Sequence, residues 1–259
     1  MCAVAVPAQP QEIRDRIAQG AVPGRAAKEK QYLRSDLEHI GVPLPALRTV
    51  ARDVVRARPE PDPEEIAGLV RALWSRPVHE HRSVALLLLA GWVDRLRATD
   101  TQEGALLDEL LRDCRSWAHV DLLAPFVSGR MLLDRPEVVD AARRWAADPG
   151  QWVRRGGILT FLLALRRERE FPRWFPVFGE VVDPLLDDDR FFVRKAIGWA
   201  LREGTKHHPE PVAAWLGYRL DRVSGLTLRE GARRLPEADA ARLLGAYAVL
   251  HPRGSRRRG

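Results

Sequence analysis

Residues 151–158 read Gln-Trp-Val-Arg-Arg-Gly-Gly-Ile, and residues 191–198 read Phe-Phe-Val-Arg-Lys-Ala-Ile-Gly. The two stretches align at an offset of 40 residues, which pairs aromatic with aromatic and cation with cation. A loop that carries Pro or Asp precedes each copy, and a second helical segment follows each copy. A period near 40 residues with two helices in each unit indicates an array of helical repeats.

The rest of the chain has the same rhythm of helix, short loop and helix. Leu, Ala, Arg and Glu dominate, and prolines stand between the segments of helical periodicity. The pattern predicts about a dozen helices, among them 63–73, 79–96 and 153–165, and gives little support for strands. Because short loops join the helices, neighbours should be antiparallel. We therefore predict an all-α fold, a curved α-solenoid of HEAT-like antiparallel helix pairs with a concave binding face.

Length and charge limit the class of protein. The chain has 259 residues, of which 46% are hydrophobic and 30% charged, and this composition is typical of a folded globular protein. We expect a single domain over residues 1–252 and a disordered, arginine-rich tail at 253–259. The tail holds four arginines and no acid, so the net charge of +7 falls to +3 without it. Net charge alone is therefore a poor argument for a nucleic-acid partner.

Cysteine content and hydropathy indicate the compartment. The two cysteines, Cys2 and Cys114, exclude a disulfide framework and a cysteine-rich zinc site. The first ten residues lack the pattern of a signal peptide, and the longest apolar run, 84–92, is too short to span a bilayer. We predict a bacterial cytoplasmic protein with no membrane partner.

One predicted helix start carries a candidate site. Residues 115–121 read Arg-Ser-Trp-Ala-His-Val-Asp, and Ser116 is a plausible N-cap for a helix that follows it. Trp117 and Asp121 then lie on one helix face, because they are four residues apart. This segment alone favours a structural interpretation, in which the tryptophan is part of the core and the aspartate bonds to a nearby arginine or backbone group.

The repeat register extends this face. A step of 38 residues from the tryptophan leads to Arg155, and a further step of 40 leads to Lys195, with Trp199 one turn later. If the repeats stack in register, Asp121, these two cations and two indoles share one strip. A carboxylate between indoles and cations suits an electron-poor sugar above a phosphate backbone.

The chain resembles the AlkD family of alkylpurine DNA glycosylases, which are built from HEAT-like repeats. The resemblance covers residues 28–235, and its most specific part is the long stretch 191–203. The stretches that carry it are Tyr32-Leu33-Arg34-Ser35, Gly41-Val42, Pro45-Ala46-Leu47-Arg48, Leu73-Trp74, Ser116-Trp117, Val120-Asp121, Trp152, Arg155, Phe191-Phe192, Lys195 to Trp199 and Leu201-Arg202-Glu203. The sequence departs from the family pattern at Pro43-Leu44, where a polar residue is expected, and in its arginine-rich tail.

The resemblance implies a function and a site. It implies hydrolysis of the N-glycosidic bond of cationic N3- and N7-alkylated purines in double-stranded DNA, without flipping the base into a pocket. Some members of the family act on bulky adducts, and the sequence leaves open whether the lesion range of this chain extends to them. Asp121 would be catalytic, and Trp117 and Trp199 would flank the deoxyribose of the lesion. The residues expected to hold DNA are Arg155, Lys195, Tyr32, Arg154 and Arg194. The family starts base excision repair.

The residue types agree with that chemistry. An alkylated purine is a cationic leaving group, so the transition state resembles an oxocarbenium ion, which a carboxylate stabilises. Arg155 and Lys195 would bind phosphates without sequence preference. A bifunctional glycosylase needs an amine beside the sugar. Since Lys195, the one lysine in register, is assigned to phosphate, we predict a monofunctional enzyme. We also expect the protein to act as a monomer.

We expect no metal and no cofactor. The histidine groups at 79–81 and 207–208 lack the spacing of a helical ligand pair and read as solvated, and no phosphate-binding glycine motif occurs. Two other classes stay open: a non-catalytic HEAT-repeat module that binds damaged or distorted nucleic acid, and a protein-interaction scaffold.

Overall fold

The computed structural model describes residues 9–252, so the predicted disorder of the 253–259 tail lies outside the described residues. The chain forms two compact units, which divide between Val138 and Val139. The first unit contains α1 (Pro10–Ala18), α2 (Arg25–Leu33), α3 (Leu44–Ala57), α4 (Pro63–Trp74), α5 (His79–Gly91), α6 (Leu106–Arg112), α7 (Trp117–Leu123) and α8 (Gly129–Asp134). The second contains α9 (Val138–Ala146), α10 (Gln151–Leu159), α11 (Leu162–Arg166), α12 (Phe171–Val182), α13 (Phe191–Gly204), α14 (Pro209–Gly217), α15 (Gly225–Gly231) and α16 (Glu237–Leu250).

The predicted all-α class is confirmed. Between residues 9 and 252 the only β pairing is one isolated bridge between Glu38 and Val78. No helix in this range is both long and apolar enough to cross a membrane. In the first unit α5 packs against α3, α4 and α7, and in the second α13 packs against α10, α11 and α15. Each unit therefore has one central helix around which its hydrophobic core is built.

The structure realises the 40-residue repeat directly. Asp148 and Asp188 each accept a hydrogen bond from the backbone N–H two residues later, at 2.8 and 2.9 Å, which forms the turn before α10 and α13. Arg154 and Arg194 donate through Nε to the carbonyl oxygens of these same two aspartates, at 2.9 and 2.6 Å. The aromatic residues of the two copies also meet, since the ring centroids of residues 152 and 192 are 4.8 Å apart. The two copies thus pack side by side with equivalent residues in contact.

Two helix boundaries differ from the sequence prediction. The segment predicted over 79–96 ends as an α-helix at Gly91 and continues as a short 3-10 turn, Val93–Arg95. The segment predicted over 153–165 is broken into α10 and α11 around Thr160. Two glycines and a β-branched threonine in its middle weaken helix propensity there, and the apolar periodicity does not register that weakness.

The first turn of α5 is buried, and this corrects the expectation of solvated histidines at 79 and 81. His79 and His81 are both buried, as is Glu80 between them. Glu80 accepts hydrogen bonds from the backbone N–H groups of Ile40, Gly41 and Val42. α5 begins inside the core because the loop before α3 wraps around this carboxylate.

Gly41 allows that loop to form. Its φ of +89° lies in the left-handed region, and a Cβ at this position would come within 2.8 Å of the backbone nitrogen of Ala26 on α2. A residue with a side chain would meet both backbone strain and a clash. Gly41 therefore lets the loop approach α2 and turn its N–H groups towards Glu80.

Candidate functional site

The first unit holds Trp117 and Asp121 on α7. Ser116 occupies the N-cap position in extended conformation, as predicted, but its side chain makes no capping hydrogen bond, and its hydroxyl is buried without a partner among the described residues. One face of α7, with His119 and Val120, is fully buried. Trp117 and Asp121 lie together on the opposite face and are both half-buried. The helix therefore presents an indole and a carboxylate where a ligand can reach them.

Buried contacts fix the orientation of α7. Nε2 of His119 lies 3.1 Å from the backbone carbonyl of His79, at the start of α5. Since a carbonyl only accepts, this nitrogen carries the proton. Burial lowers the pKa of His119 to about 3, so its imidazole is neutral at physiological pH. The ring of Trp74, on α4, packs against His119 with centroids 5.6 Å apart. These contacts hold the inner face of α7, which positions the outer face.

Tyr32 extends the site beyond α7. This residue lies near the end of α2, and its side chain is 74% exposed. Its ring meets that of Trp117 edge to face, with centroids 5.9 Å apart and planes at 87°. Such an arrangement is favourable for aromatic pairs. The structure thus brings together three of the predicted site residues, Tyr32, Trp117 and Asp121.

Cys114 lies just before α7, and its thiol is inert. The residue is 3% exposed, and its sulfur lies 3.3 Å from the carbonyl oxygen of Leu110. Burial raises the pKa of the Cys114 thiol well above its ordinary value, and the negative charges of Asp113 and Asp121 add to the effect. A protonated thiol is a poor nucleophile. The chemistry of this region therefore rests on the carboxylate and the aromatic side chains.

The second unit holds Arg155 and Trp199. Arg155, on α10, is only 3% exposed, and its Nη1 donates to the backbone carbonyl of Phe192 at 2.8 Å. Its guanidinium lies 5.9 Å from the ring centroids of both Phe192 and Trp199. The structure brings Arg155 of α10 and Trp199 of α13 next to each other. A direct contact of Arg155 with a phosphate stays a prediction.

Lys195 lies one turn before Trp199 on α13. Its side chain is half-buried, with Nζ 5.7 Å from the ring centroid of the exposed Phe191. A lysine above an exposed aromatic ring keeps its ammonium near water, where a phosphate could reach it. The second unit therefore presents an indole and an ammonium on neighbouring turns of one helix.

Arg154 and Arg194 have structural partners. Arg154 forms an ion pair with Asp188 at 2.6 Å, and Arg190 pairs with the same carboxylate at 2.5 Å. The Asp188 side chain is 3% exposed, and burial alone would raise its pKa. Hydrogen bonds from Arg190 and Arg154 outweigh burial and hold the pKa of Asp188 well below its usual range. Contacts of Arg154 and Arg194 with DNA stay predictions. The ion pair of Arg154 with Asp188 joins successive repeats, while the Nε of Arg194 donates to the carbonyl of Asp188 in the turn of its own repeat.

The predicted strip draws on both units. Tyr32, Trp117 and Asp121 belong to the first, and the cations and Trp199 belong to the second. Within each unit, the residues of the strip lie near one another, as the repeat register predicts. The continuity of the strip across the two units stays a prediction. Phe192 is the residue that sequence reasoning overlooked. Its signal was present, because it occupies the repeat position of Trp152.

Comparison with solved structures places this fold among known ones. A predicted DNA alkylation repair enzyme from Enterococcus faecalis superimposes with a TM-score of 0.72 at 20% sequence identity. The match covers 84% of this chain and 97% of that protein. A search among curated proteins finds no significant match.

A family model decides the classification. The model described as DNA alkylation repair enzyme matches residues 13–235, which cover most of each unit and every residue of the predicted strip. The match extends over most of the chain, and it agrees with the all-α architecture. The chain therefore belongs to the DNA alkylation repair enzyme family.

Proposed function

We propose that this protein is a monofunctional DNA glycosylase that hydrolyses the N-glycosidic bond of N3- and N7-alkylated purines in double-stranded DNA. It acts without flipping the base into a pocket, and it starts base excision repair on cytoplasmic DNA. The observation that carries the proposal is the half-buried pair of Trp117 and Asp121 on the outer face of α7, with Tyr32 against the indole. Membership of a DNA alkylation repair family supports the same function.

The side chains of the first unit fit the transition state of this reaction. Loss of an alkylated purine leaves positive charge on C1′ and the ring oxygen of the sugar, as in glycoside hydrolysis. The carboxylate of Asp121 can stabilise that charge and orient the attacking water. The face of Trp117 offers cation–π stabilisation, which strengthens when water is excluded. Tyr32 holds the indole edge-on and so limits its rotation.

The second unit supplies the groups for the DNA backbone. Trp199 is held by the guanidinium of Arg155, which fixes the plane of the indole before DNA arrives. A preorganised ring loses little conformational freedom on binding. Lys195, on the preceding turn, would contact a phosphate and contribute affinity without sequence preference. The leaving base is already cationic, so the mechanism requires no general acid.

Release of free base is the experiment that tests this proposal. Purified protein is incubated with duplexes that carry N3-methyladenine, N7-methylguanine or one bulky N3-adenine adduct, and free base is measured by chromatography. We expect release from at least one cationic lesion and none from undamaged duplex. Borohydride should trap no covalent complex with DNA, since a monofunctional enzyme forms no Schiff base. A trapped complex would contradict the monofunctional assignment.

Binding without release is the outcome that favours the non-catalytic alternative. A protein that binds alkylated duplex tightly but leaves every lesion in place would be a recognition module. Weak DNA binding without the steep salt dependence of phosphate contacts would favour a scaffold.

A further inference from the structure

A column of stacked imidazoles runs through the first unit, outside the site on the outer face of α7. The rings of His39 and His79 are parallel to within 7°, with centroids 4.6 Å apart, and His79 and His119 follow at 4.7 Å. The three histidines are spaced by 40 residues, which is the period of the repeat. Successive repeats therefore place one imidazole above the next.

Polar atoms at one end of this column have no hydrogen-bond partner among the described residues. The side chain of His39 is 1% exposed, and neither of its ring nitrogens makes a hydrogen bond to the residues described. Oε2 of Glu29 and Nδ1 of His79 are also buried without a hydrogen-bond partner in that range. A buried polar group left unpaired costs about 1–3 kcal/mol. Three such side chains at one place point to a ligand that satisfies all of them.

The geometry fits a small cation. One ligand atom each from Glu29, His39 and His79 lies within 4.8 Å of the other two. Nδ1 of His39 is 3.9 Å from Oε2 of Glu29, too far for a hydrogen bond and close enough for a shared ion. Tetrahedral zinc with bonds near 2.0–2.1 Å places its ligand atoms roughly 3.3 Å apart. Rotation of the side chains would close this difference. Because the lone pair of an imidazole nitrogen lies in the plane of its ring, metal binding would also tilt the rings of His39 and His79 away from parallel.

We propose that Glu29, His39 and His79 form a zinc site, in which two imidazole nitrogens and one carboxylate oxygen bind the metal and water completes the tetrahedron. Two histidines with one carboxylate form a donor set that zinc takes readily, and the borderline imidazole donors favour zinc over magnesium or calcium. Glu29 also accepts a hydrogen bond from Arg25 through Oε1, at 3.1 Å, which leaves Oε2 directed to the metal. Such a hydrogen bond orients a ligating carboxylate.

The site would join three separate segments of the first unit. Glu29 lies on α2, His39 in the loop that follows it, and His79 at the start of α5. α5 supports α7 through the bond between His79 and His119, and α2 carries Tyr32 one turn after Glu29. Zinc would therefore fix α2 to the start of α5, and α5 in turn supports α7. This structural role would not depend on glycosylase activity.

Metal uptake by the whole chain tests the proposal. The protein is stripped with EDTA, dialysed and titrated with Zn²⁺ in competition with a chromophoric chelator, and uptake is checked by elemental analysis. We expect one equivalent per chain, a higher Tm with zinc, and slower hydrogen exchange of amides 25–43. Cobalt in place of zinc should give the intense visible absorption of a tetrahedral site.

Three variants locate the site. His39→Asn and Glu29→Gln should each weaken zinc binding more than the roughly 10–100-fold that loss of a supporting group costs. His207→Asn, which removes an exposed histidine, should leave binding unchanged. Glu29→Gln decides the matter if His39→Asn fails to fold, because Gln has nearly the shape of Glu and its amide oxygen can still accept the hydrogen bond from Arg25. The proposal is overturned if folded wild-type protein takes up no zinc, or if Glu29→Gln binds zinc as tightly as wild type.

Discussion

Replacement of Glu80 by Gln tests how a buried carboxylate anchors the first unit. Glu80 is fully buried, and three consecutive backbone N–H groups donate to it: Ile40 at 2.9 Å, Gly41 at 2.5 Å and Val42 at 3.2 Å. Gln has nearly the same shape, but it carries no charge and one of its two terminal groups is a donor. That donor would face the N–H of Ile40, which already needs an acceptor.

The magnitude follows from these bonds. A hydrogen bond to a charged group contributes about 1.5–3 kcal/mol, and a buried donor left unpaired costs about 1–3 kcal/mol. With its oxygen at the Oε1 position, Glu80→Gln keeps an acceptor for all three N–H groups, but the bonds lose the charge of the carboxylate. The terminal amide N–H of Gln replaces Oε2, which accepts from the Ile40 N–H at 2.9 Å, so two donors would face each other there. We therefore expect a loss of about 3 kcal/mol in the free energy of unfolding. For a protein of this size that loss corresponds to a fall in Tm of roughly 6–12 °C.

Urea unfolding measures this loss, with Glu109→Gln as the matched control. Glu109 is also in the first unit and pairs with Arg71 at 2.8 Å, but both side chains are about half exposed. An exposed ion pair contributes less than about 1 kcal/mol. The m-value should stay unchanged in both variants. A loss below about 1 kcal/mol for Glu80→Gln, or one no larger than for Glu109→Gln, would refute the reasoning.

Three further predictions concern the second unit and one control outside it. Gly157→Ala should destabilise by more than about 2 kcal/mol in urea unfolding, because its Cβ would lie 2.3 Å from the backbone nitrogen of Ala146. Gly68→Ala, at a helical position with open space, should instead stabilise by about 0.4–1 kcal/mol, and a reversed order would contradict the packing described. Asp188→Asn should cost about 3 kcal/mol at pH 7. Because the pKa of Asp188 is depressed in the folded protein, wild type loses its greater free energy of unfolding as pH falls below about 4. If the difference in unfolding free energy between wild type and Asp188→Asn does not change with pH, the charge is unimportant. Arg155→Lys should lower the rate of base release more than the affinity for DNA, since it frees Trp199 rather than removing a phosphate contact. Equal losses in single-turnover and binding assays would instead favour a direct contact between Arg155 and a phosphate.

The repeat was the part of the fold most accessible from sequence. Residues 151–158 and 191–198 recur with the same residue types because each copy builds the same turn and packs the same ring against its neighbour. A period of 40 residues therefore predicts which residues share a face. The break near Thr160 is not predictable from the repeat, since a break depends on local backbone preferences that apolar periodicity does not report.

The arginines show where sequence reasoning about a site ends. Register places Arg154, Arg155 and Arg194 correctly relative to the repeat, but it does not reveal what each guanidinium contacts. The structure shows them bonded to carbonyl oxygens, and Arg154 also to a carboxylate, within the second unit. A cation assigned to phosphate from spacing alone can equally join two repeats.

The histidines show the reverse case, in which the structure contains contacts that local sequence spacing does not indicate. His79 and His81 are two residues apart, and this spacing does not indicate a helical pair of metal ligands. The true partners of His79 lie 40 residues away on either side, at 39 and 119. In a repeat protein, the side chains that contact one another are therefore to be sought at the repeat period as well as at the helical period.

The catalytic role of Asp121 is the central claim, and a single-turnover measurement of base release by Asp121→Asn tests it most directly. At saturating alkylated duplex, the variant should release base about 10²–10³-fold more slowly than wild type, because it loses one electrostatic stabiliser of the oxocarbenium ion. Its affinity for the duplex should change little, and Asp134→Asn, at an exposed position of α8, should release base at the wild-type rate. Release by Asp121→Asn at the wild-type rate would contradict the account.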